Sequence, residues 1–204
     1  LKLVQKDIRK VRCVINGAGA AGTAIGELLL GLGIGELIMV DKAGILCAGD
    51  GSLSPAHKAL AEKTNPRRIT GSLADAMRSA DVFVGVSAPG IVSREMVASM
   101  APGAVVFAMA NPVPEIMPDE ALSAGAAVVG TGRSDFANQI NNVLAFPGIF
   151  RGALDVRASD INDEMKLAAV YALSGLVGND ELAADYILPP AFDKRIAPTV
   201  ARAV

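Results

Sequence analysis

Short apolar runs alternate along the chain with longer segments rich in helix-forming residues. Five runs of β-branched and other apolar residues predict buried strands, at residues 11–16, 36–40, 82–86, 104–109 and 127–130. Helical segments are predicted around them at residues 20–31, 55–63, 72–79, 93–100 and 119–124, with Ser72 and Ser93 as N-caps. Strands separated by helices are typical of an α/β fold, a Rossmann-like doubly wound parallel sheet with helices on both faces.

The pattern becomes helical from residue 138 onward, which predicts a helical C-terminal extension. Residues 161–177 form the clearest helix, with Asp160 as its N-cap and Gly178 just past its end. A closing helix is predicted at residues 192–203, kinked or divided at Pro198. Since no repeat or low-complexity tract separates these parts, we expect residues 1–204 to form one domain.

Composition narrows the class of partner. Lys and Arg (19) nearly balance Asp and Glu (21), so the basic excess that nucleic-acid binding needs is missing. The sequence has no apolar run of membrane-spanning length, and its start does not resemble a signal peptide. Cys13 and Cys47 lack metal-ligand spacing and fit ordinary thiols in a reducing compartment. We therefore expect a cytoplasmic protein with neither nucleic acid nor membrane as a partner.

A glycine loop carries the most specific chemistry. The run matching G-x-G-x-x-G follows a predicted strand and opens a predicted helix, and it consists of Gly17, Ala18, Gly19, Ala20, Ala21 and Gly22. Gly17 permits a tight turn, Gly19 lets the backbone approach a pyrophosphate, and Gly22 allows close packing of helix and strand. The helix N-terminus offers free N–H groups to phosphates. The loop predicts a dinucleotide site.

Asp41 ends the next predicted strand, 19 residues after Gly22. A carboxylate here accepts hydrogen bonds from the adenosine ribose and repels a 2′-phosphate, which favours NAD over NADP. NADP stays possible, because a rival phosphate clamp lies nearby in sequence: Lys42, His57, Lys58, Arg67 and Arg68.

Catalytic and metal-binding groups are not evident within these residues. His57 is the sole histidine and is expected on an exposed helix, while Tyr171 and Tyr186 are expected to pack in the core or on the surface. Two sets of acids lack a compelling metal-ligand arrangement: Glu115, Asp119 and Glu120, and Asp155, Asp160, Asp163 and Glu164.

Several motifs resemble those of the bacterial-type malic enzymes over nearly the whole chain. VDKAGIL (40–46), GVSAPG (85–90) and MANPVPEIMP (109–118) resemble that family's cofactor domain. The most specific segment is GTGRSDFANQINNVLAFPGIFRGALDVRA (130–158), and NDEMKLAA (162–169) and YILPPAFDKRI (186–196) also fit. Another Rossmann dehydrogenase would explain the glycine loop but not TGRSDFANQINN.

The resemblance implies oxidative decarboxylation of L-malate to pyruvate and CO2, with reduction of NAD(P) and a requirement for Mg2+ or Mn2+. It also implies a homodimer or higher homo-oligomer. Beyond the glycine loop and Asp41, the cofactor-binding residues it implies are Lys42, Ser87, Ala88, Pro89 and Asn111. Asn111, Asn141 and Asn142 are implied as substrate-binding residues, since an amide both donates and accepts without adding charge.

The sequence departs from the family in one respect. The family's catalytic tyrosine and lysine and its acidic metal ligands precede the glycine loop, but the sixteen residues before Gly17 resemble none of those motifs. We therefore expect a carboxyl-terminal fragment that contains no catalytic or metal-binding residues and is inactive alone. Two alternatives stay open: malolactic chemistry, which yields lactate, and a non-catalytic regulatory module that binds nucleotide.

Overall fold

The computed structural model describes all residues, Leu1–Val204, in two compact units. Unit 1 comprises Leu1–Thr131 and unit 2 comprises Gly132–Val204. Each unit is described by itself below. The expectation that residues 1–204 act as one domain stays a prediction.

Unit 1 is built on a six-stranded sheet. Its strands are β1 (Arg12–Asn16), β2 (Glu36–Asp41), β3 (Gly44–Ile45), β4 (Val82–Gly85), β5 (Val105–Ala108) and β6 (Val128–Thr131). Their spatial order is β3-β2-β1-β4-β5-β6, and all neighbouring strands run parallel except β3, which pairs antiparallel with β2. The predicted Rossmann-like parallel sheet is confirmed. The pattern missed β3 because two residues are too short to show an alternation.

The helices of unit 1 are α1 (Ala20–Gly31), α2 (Pro55–Ala61), α3 (Leu73–Met77), α4 (Arg94–Ala98) and α5 (Pro118–Ser123). A serine hydroxyl caps three of them by accepting a backbone N–H of the first turn: Ser54 for α2, Ser72 for α3 and Ser93 for α4. The predicted caps at Ser72 and Ser93 are confirmed.

The core of unit 1 lies on both faces of the sheet. On one face, alternating strand residues such as Val14, Phe83 and Val106 join a buried cluster that includes side chains of α3, α4 and α5. On the opposite face, α1 packs through Gly26, where an added Cβ would meet the side chains of Leu37 and Met39 at 3.4 Å. Helices on both faces are therefore confirmed.

Unit 2 is helical, as predicted, and contains α6 (Phe146–Asp155), α7 (Asp163–Ser174) and α8 (Ile196–Ala203). Its buried cluster includes Leu144, Ala169 and Val200. Helix α6 approaches α8 through two glycines one turn apart. A Cβ at Gly148 would lie 2.6 Å from Cβ of Val200, and a Cβ at Gly152 would lie 2.6 Å from the carbonyl oxygen of Ala201.

The boundaries of α7 and α8 differ from those predicted. Asn162, not Asp160, caps α7, because its side chain accepts the N–H of Met165 at 2.9 Å. Helix α7 also ends at Ser174, before the predicted end at 177. Helix α8 begins only at Ile196 and runs without division through Pro198. Pro198 falls in the first turn, where a helical N–H has no partner to lose.

Candidate functional site

The topology of unit 1 places its open crevice between β1 and β4. The chain leaves β1 toward β2 on one side of the sheet, and β4 leads to β5 on the other. Ligands of such sheets bind outside the carboxyl ends of the strands at this reversal. Gly17 follows β1 there, with a φ of 110° that favours glycine, and a Cβ on it would lie 2.7 Å from the carbonyl oxygen of Val86. The loop after β1 thus lies directly beside the loop after β4.

Gly22 and Gly19 meet two different demands in this loop. A Cβ at Gly22 would lie 1.9 Å from the carbonyl oxygen of Gly17, so only glycine fits there. A Cβ at Gly19 would meet no atom within 4 Å. Gly19 is the N-cap of the twelve-residue α1, which has neither a side-chain cap nor an acid in its first turn. The uncapped N–H groups and the partial positive charge of this helix end suit an anionic ligand.

Asp41 is the last residue of β2, as its predicted role requires. The structure also places His57 beside it, with 3.7 Å between His57 Nε2 and Asp41 Oδ2. His57 lies on α2, whose first residues are mostly exposed as expected, and its own side chain is 25% exposed.

One member of the rival phosphate clamp, Arg67, has a partner at the other end of β2. Arg67 forms ion-paired hydrogen bonds with Glu36, at the start of β2 and about 16 Å along the strand from Asp41. Burial raises the pKa of Glu36, but hydrogen bonds from Arg67 and Arg12 outweigh it and leave that pKa below its usual value. Arg67 therefore binds at the start of β2 and does not face the end of β2 that carries Asp41.

A buried carboxylate, for which the sequence pattern predicts no role, organises the loops after β4 and β5. Glu115 is fully buried and accepts the backbone N–H of Ser87 at 3.0 Å and that of Ala110 at 2.9 Å. A Cβ at Gly85 would lie 2.4 Å from its carboxyl carbon. Glu115 thus joins the GVSAPG loop to the residue before Asn111. Its signal in the sequence is a single carboxylate in the otherwise apolar PVPEIMP.

The asparagines implied as substrate-binding residues occupy loops of both units. Asn111 is exposed after β5 and forms a cis peptide bond with Pro112. In unit 2, exposed Asn141 accepts the N–H of Val143, and exposed Asn142 begins a 3-10 helix. Asn138 of the same motif is buried; it donates to the carbonyl of Ala184 and accepts the N–H of Ile187. Asn138 therefore has a structural role that the sequence pattern does not predict.

The remaining candidates are the acids, the buried thiol of Cys13 and Tyr171. No group of three or more His, Cys, Asp or Glu side chains is placed to hold a metal ion, so these residues alone do not fit Mg2+ or Mn2+. Burial raises the pKa of Cys13 to about 12, which keeps this thiol unreactive. Tyr171 lies on the surface, 64% exposed. None of the helices combines the length and apolar character needed to cross a bilayer.

Comparison with known proteins decides the family. Residues 1–204 match the family described as malic enzyme, NAD binding domain. The chain belongs to this family. The predicted resemblance is thereby confirmed for the malic enzyme NAD-binding domain as a whole, while the roles of its individual residues stay predictions.

Relatives of this malic enzyme NAD-binding domain are similar over its full length. It is 56% identical to a bifunctional malic/malolactic enzyme of Bacillus subtilis and 44% identical to an NADP-dependent malic enzyme of Haemophilus influenzae. The chain spans 50% of the first protein and 29% of the second. The crystal structure of the NAD-dependent malic enzyme of Thermotoga maritima matches with 45% identity and a TM-score of 0.95, over 100% of this chain and 53% of that one.

Proposed function

We propose that this domain binds NAD or NADP at the Gly17–Gly22 loop and serves as the cofactor-binding part of a malic enzyme. That enzyme converts L-malate to pyruvate and CO2, and the bound nicotinamide accepts the hydride. The observation that carries the proposal is the contact of Gly22 with the carbonyl oxygen of Gly17, beside an uncapped α1 N-terminus at the reversal of strand order. Family membership supports the same conclusion.

The proposed cofactor-binding and substrate-binding residues have three roles. The loop residues 17–22 and the first turn of α1 hold the pyrophosphate, and Asp41 with Lys42 borders the adenosine ribose. Ser87, Ala88 and Pro89 line the adjoining wall, where Glu115 accepts the backbone N–H of Ser87. Asn111, Asn141 and Asn142 donate to and accept from substrate or nicotinamide without adding charge.

The catalytic acid and base and the ligands of Mg2+ or Mn2+ come from the rest of the protein. The acids of this chain form no group able to hold a metal ion. The chain spans 50% of the Bacillus subtilis relative and 29% of the Haemophilus influenzae relative. We further propose that the complete protein is a cytoplasmic homodimer or larger homo-oligomer.

A second activity is favoured by one observation. The Bacillus subtilis relative, 56% identical, is a bifunctional malic/malolactic enzyme. In malolactic chemistry the nicotinamide stays bound and the product is lactate instead of pyruvate. Product analysis with malate and a small amount of NAD separates the two reactions. Lactate formation continues because the bound NAD is regenerated, whereas pyruvate formation stops once the NAD has been reduced.

The test is a malate-dependent assay of NAD(P)H absorbance with Mn2+, on the complete protein and on this chain. We expect turnover by the complete protein only, and loss of turnover in its G19A variant. Nucleotide binding without malate turnover in the intact, folded complete protein would contradict the enzyme proposal and favour a regulatory module. Turnover by this chain alone would mean that its residues include a catalytic site.

A further inference from the structure

A buried carboxylate lies beneath the two loops that are proposed to contact the nicotinamide and the substrate. Glu115 is fully buried, and each of its carboxylate oxygens accepts a different donor. Oε1 accepts the backbone N–H of Ser87 at 3.0 Å, and Oε2 accepts that of Ala110 at 2.9 Å. Ser87 lies in the loop after β4, and Ala110 directly precedes Asn111 in the loop after β5. One side chain thus binds both loops.

The backbone next to this carboxylate holds the β4 loop at two further points. The N–H of Gly90 donates to the carbonyl of Pro114 at 3.0 Å, and the N–H of Val92 donates to the carbonyl of Glu115 at 3.0 Å. The side chain of Glu115 therefore binds the start of this loop, at Ser87, while its backbone segment binds the end. Ser87 itself is exposed, so the loop presents exposed residues on a backbone that is fixed from below.

A carboxylate is the chemical group that suits this bridge. Its two oxygens can accept two N–H groups at once, whereas an amide offers a single acceptor oxygen. A Cβ on Gly85, the last residue of β4, would lie 2.4 Å from the carboxyl carbon of Glu115, so glycine leaves the space that the carboxylate occupies. Burial of a carboxylate costs free energy unless its oxygens accept hydrogen bonds, as both do here. An apolar side chain would fill the space without that cost but could not join the loops.

We propose that Glu115 is a positioning residue for the nicotinamide half of the cofactor. It acts through Ser87 and Asn111, because its two hydrogen bonds fix the backbone at the first and next to the second. The adenosine half and the pyrophosphate are expected at the end of β2 and at the loop after β1, and neither hydrogen bond of Glu115 reaches those segments. This inference rests on the proposed function, since it requires the nicotinamide to lie against residues 87–89 and Asn111.

The test compares two ligands that share the ADP-ribose part of the cofactor. Calorimetric titration of the complete protein with NADH and with ADP-ribose, which lacks the nicotinamide, separates the two halves of the site. In E115Q the side chain can accept only one of the two N–H groups, so we expect NADH to bind about tenfold more weakly and ADP-ribose to bind as in the wild type. We also expect kcat with malate to fall about tenfold, because hydride transfer depends on the position of the nicotinamide. The control E120Q, at an exposed position on α5, should match the wild type.

A second variant perturbs the same contact from the other side. In G85A the atoms nearest to the new methyl group belong to the Glu115 side chain, so the carboxylate is displaced while it keeps its charge. We expect the same selective loss of NADH affinity. The double variant G85A/E115Q should bind NADH no more weakly than the weaker single variant, because both changes break one contact.

A merely structural role of Glu115 gives a different result. It lowers the melting temperature and either weakens NADH and ADP-ribose equally or weakens neither. Either of these binding results in both E115Q and G85A overturns the inference and leaves the proposed function intact, since NADH still binds to the wild type. Failure of the wild type to bind NADH and ADP-ribose overturns the proposed function and the inference together.

Discussion

Gly22 packs directly against the carbonyl oxygen of Gly17, so closely that a Cβ on Gly22 would lie 1.9 Å from that oxygen. This contact joins the first turn of α1 to the turn that ends β1. It fixes the direction in which the free N–H groups of α1 point. The glycine spacing is therefore a geometric requirement of this loop.

The variant G22A tests that requirement. The added methyl group must displace backbone, so we expect a loss of about 2 to 4 kcal/mol in the free energy of unfolding and an NAD affinity below detection. Thermal melts and NAD titrations measure both. The matched control is G31A at the end of α1, where a Cβ meets nothing within 4 Å and helix propensity favours alanine. Wild-type stability and affinity in G22A would refute the packing argument.

Glu115 is predicted to act as a positioning residue. E115Q keeps the shape but puts an amide N–H2 against one of the two backbone N–H groups that Glu115 now binds. We expect a loss of about 1 to 3 kcal/mol in the free energy of unfolding, together with weaker nicotinamide nucleotide binding. Chemical denaturation and NADH titration measure the two effects. E120Q, at an exposed position on α5, is the control and should change neither.

The stability of the sheet is predicted to depend on pH through Glu36. Hydrogen bonds from Arg67 and Arg12 lower the pKa of this carboxyl in the folded state despite its burial. A group with a lowered folded-state pKa stabilises the fold above its unfolded pKa, and this contribution disappears as pH falls below about 4.5. In E36Q, urea denaturation should therefore show a smaller loss of stability between about pH 6 and pH 4 than in the wild type. Identical pH profiles would show that Glu36 does not contribute.

The contact between α6 and α8 predicts a second pair of glycines that cannot be replaced by alanine without loss of stability. In G152A the new Cβ would lie 2.6 Å from the carbonyl oxygen of Ala201, so the two helices must separate. We expect a loss of about 1 to 3 kcal/mol, visible in melts of helical circular dichroism. G51A, where a Cβ meets nothing within 4 Å, should melt like the wild type. Equal melting of G152A and G51A would argue against close helix packing in unit 2.

Local patterns predicted the sheet because its five parallel strands are buried and rich in β-branched residues. The serine caps of α3 and α4 are also predictable from local sequence, because each serine bonds a backbone N–H within one turn of the chain. The predicted cap of α7 lies two residues before the observed one, because Asp160 and Asn162 are both suitable cap residues. The sequence pattern does not delimit helix α6, because proline and glycine are poor helix formers. The two glycines of α6 instead allow it to pack closely on α8.

The site was predictable where it depends on backbone geometry and not where it depends on long-range pairing. The glycine loop carries its own spacing rule, and Asp41 is identified by its place at the end of β2. In contrast, Glu115 bonds Ser87 from 28 positions away, and Arg67 bonds Glu36 from 31 positions away. No local pattern encodes such partners. The approach of His57 to Asp41 belongs to the same class.

The most direct test of the account is a titration of NADH into the wild type and into G19A, with binding measured by the fluorescence of the nucleotide. Gly19 has open space around it, so alanine should leave folding unchanged while placing a methyl group where the pyrophosphate is expected. The account predicts saturable binding by the wild type, affinity at least about tenfold weaker in G19A, and equal melting temperatures. Equal NADH affinity in the two proteins would contradict the claim that this loop is the dinucleotide site.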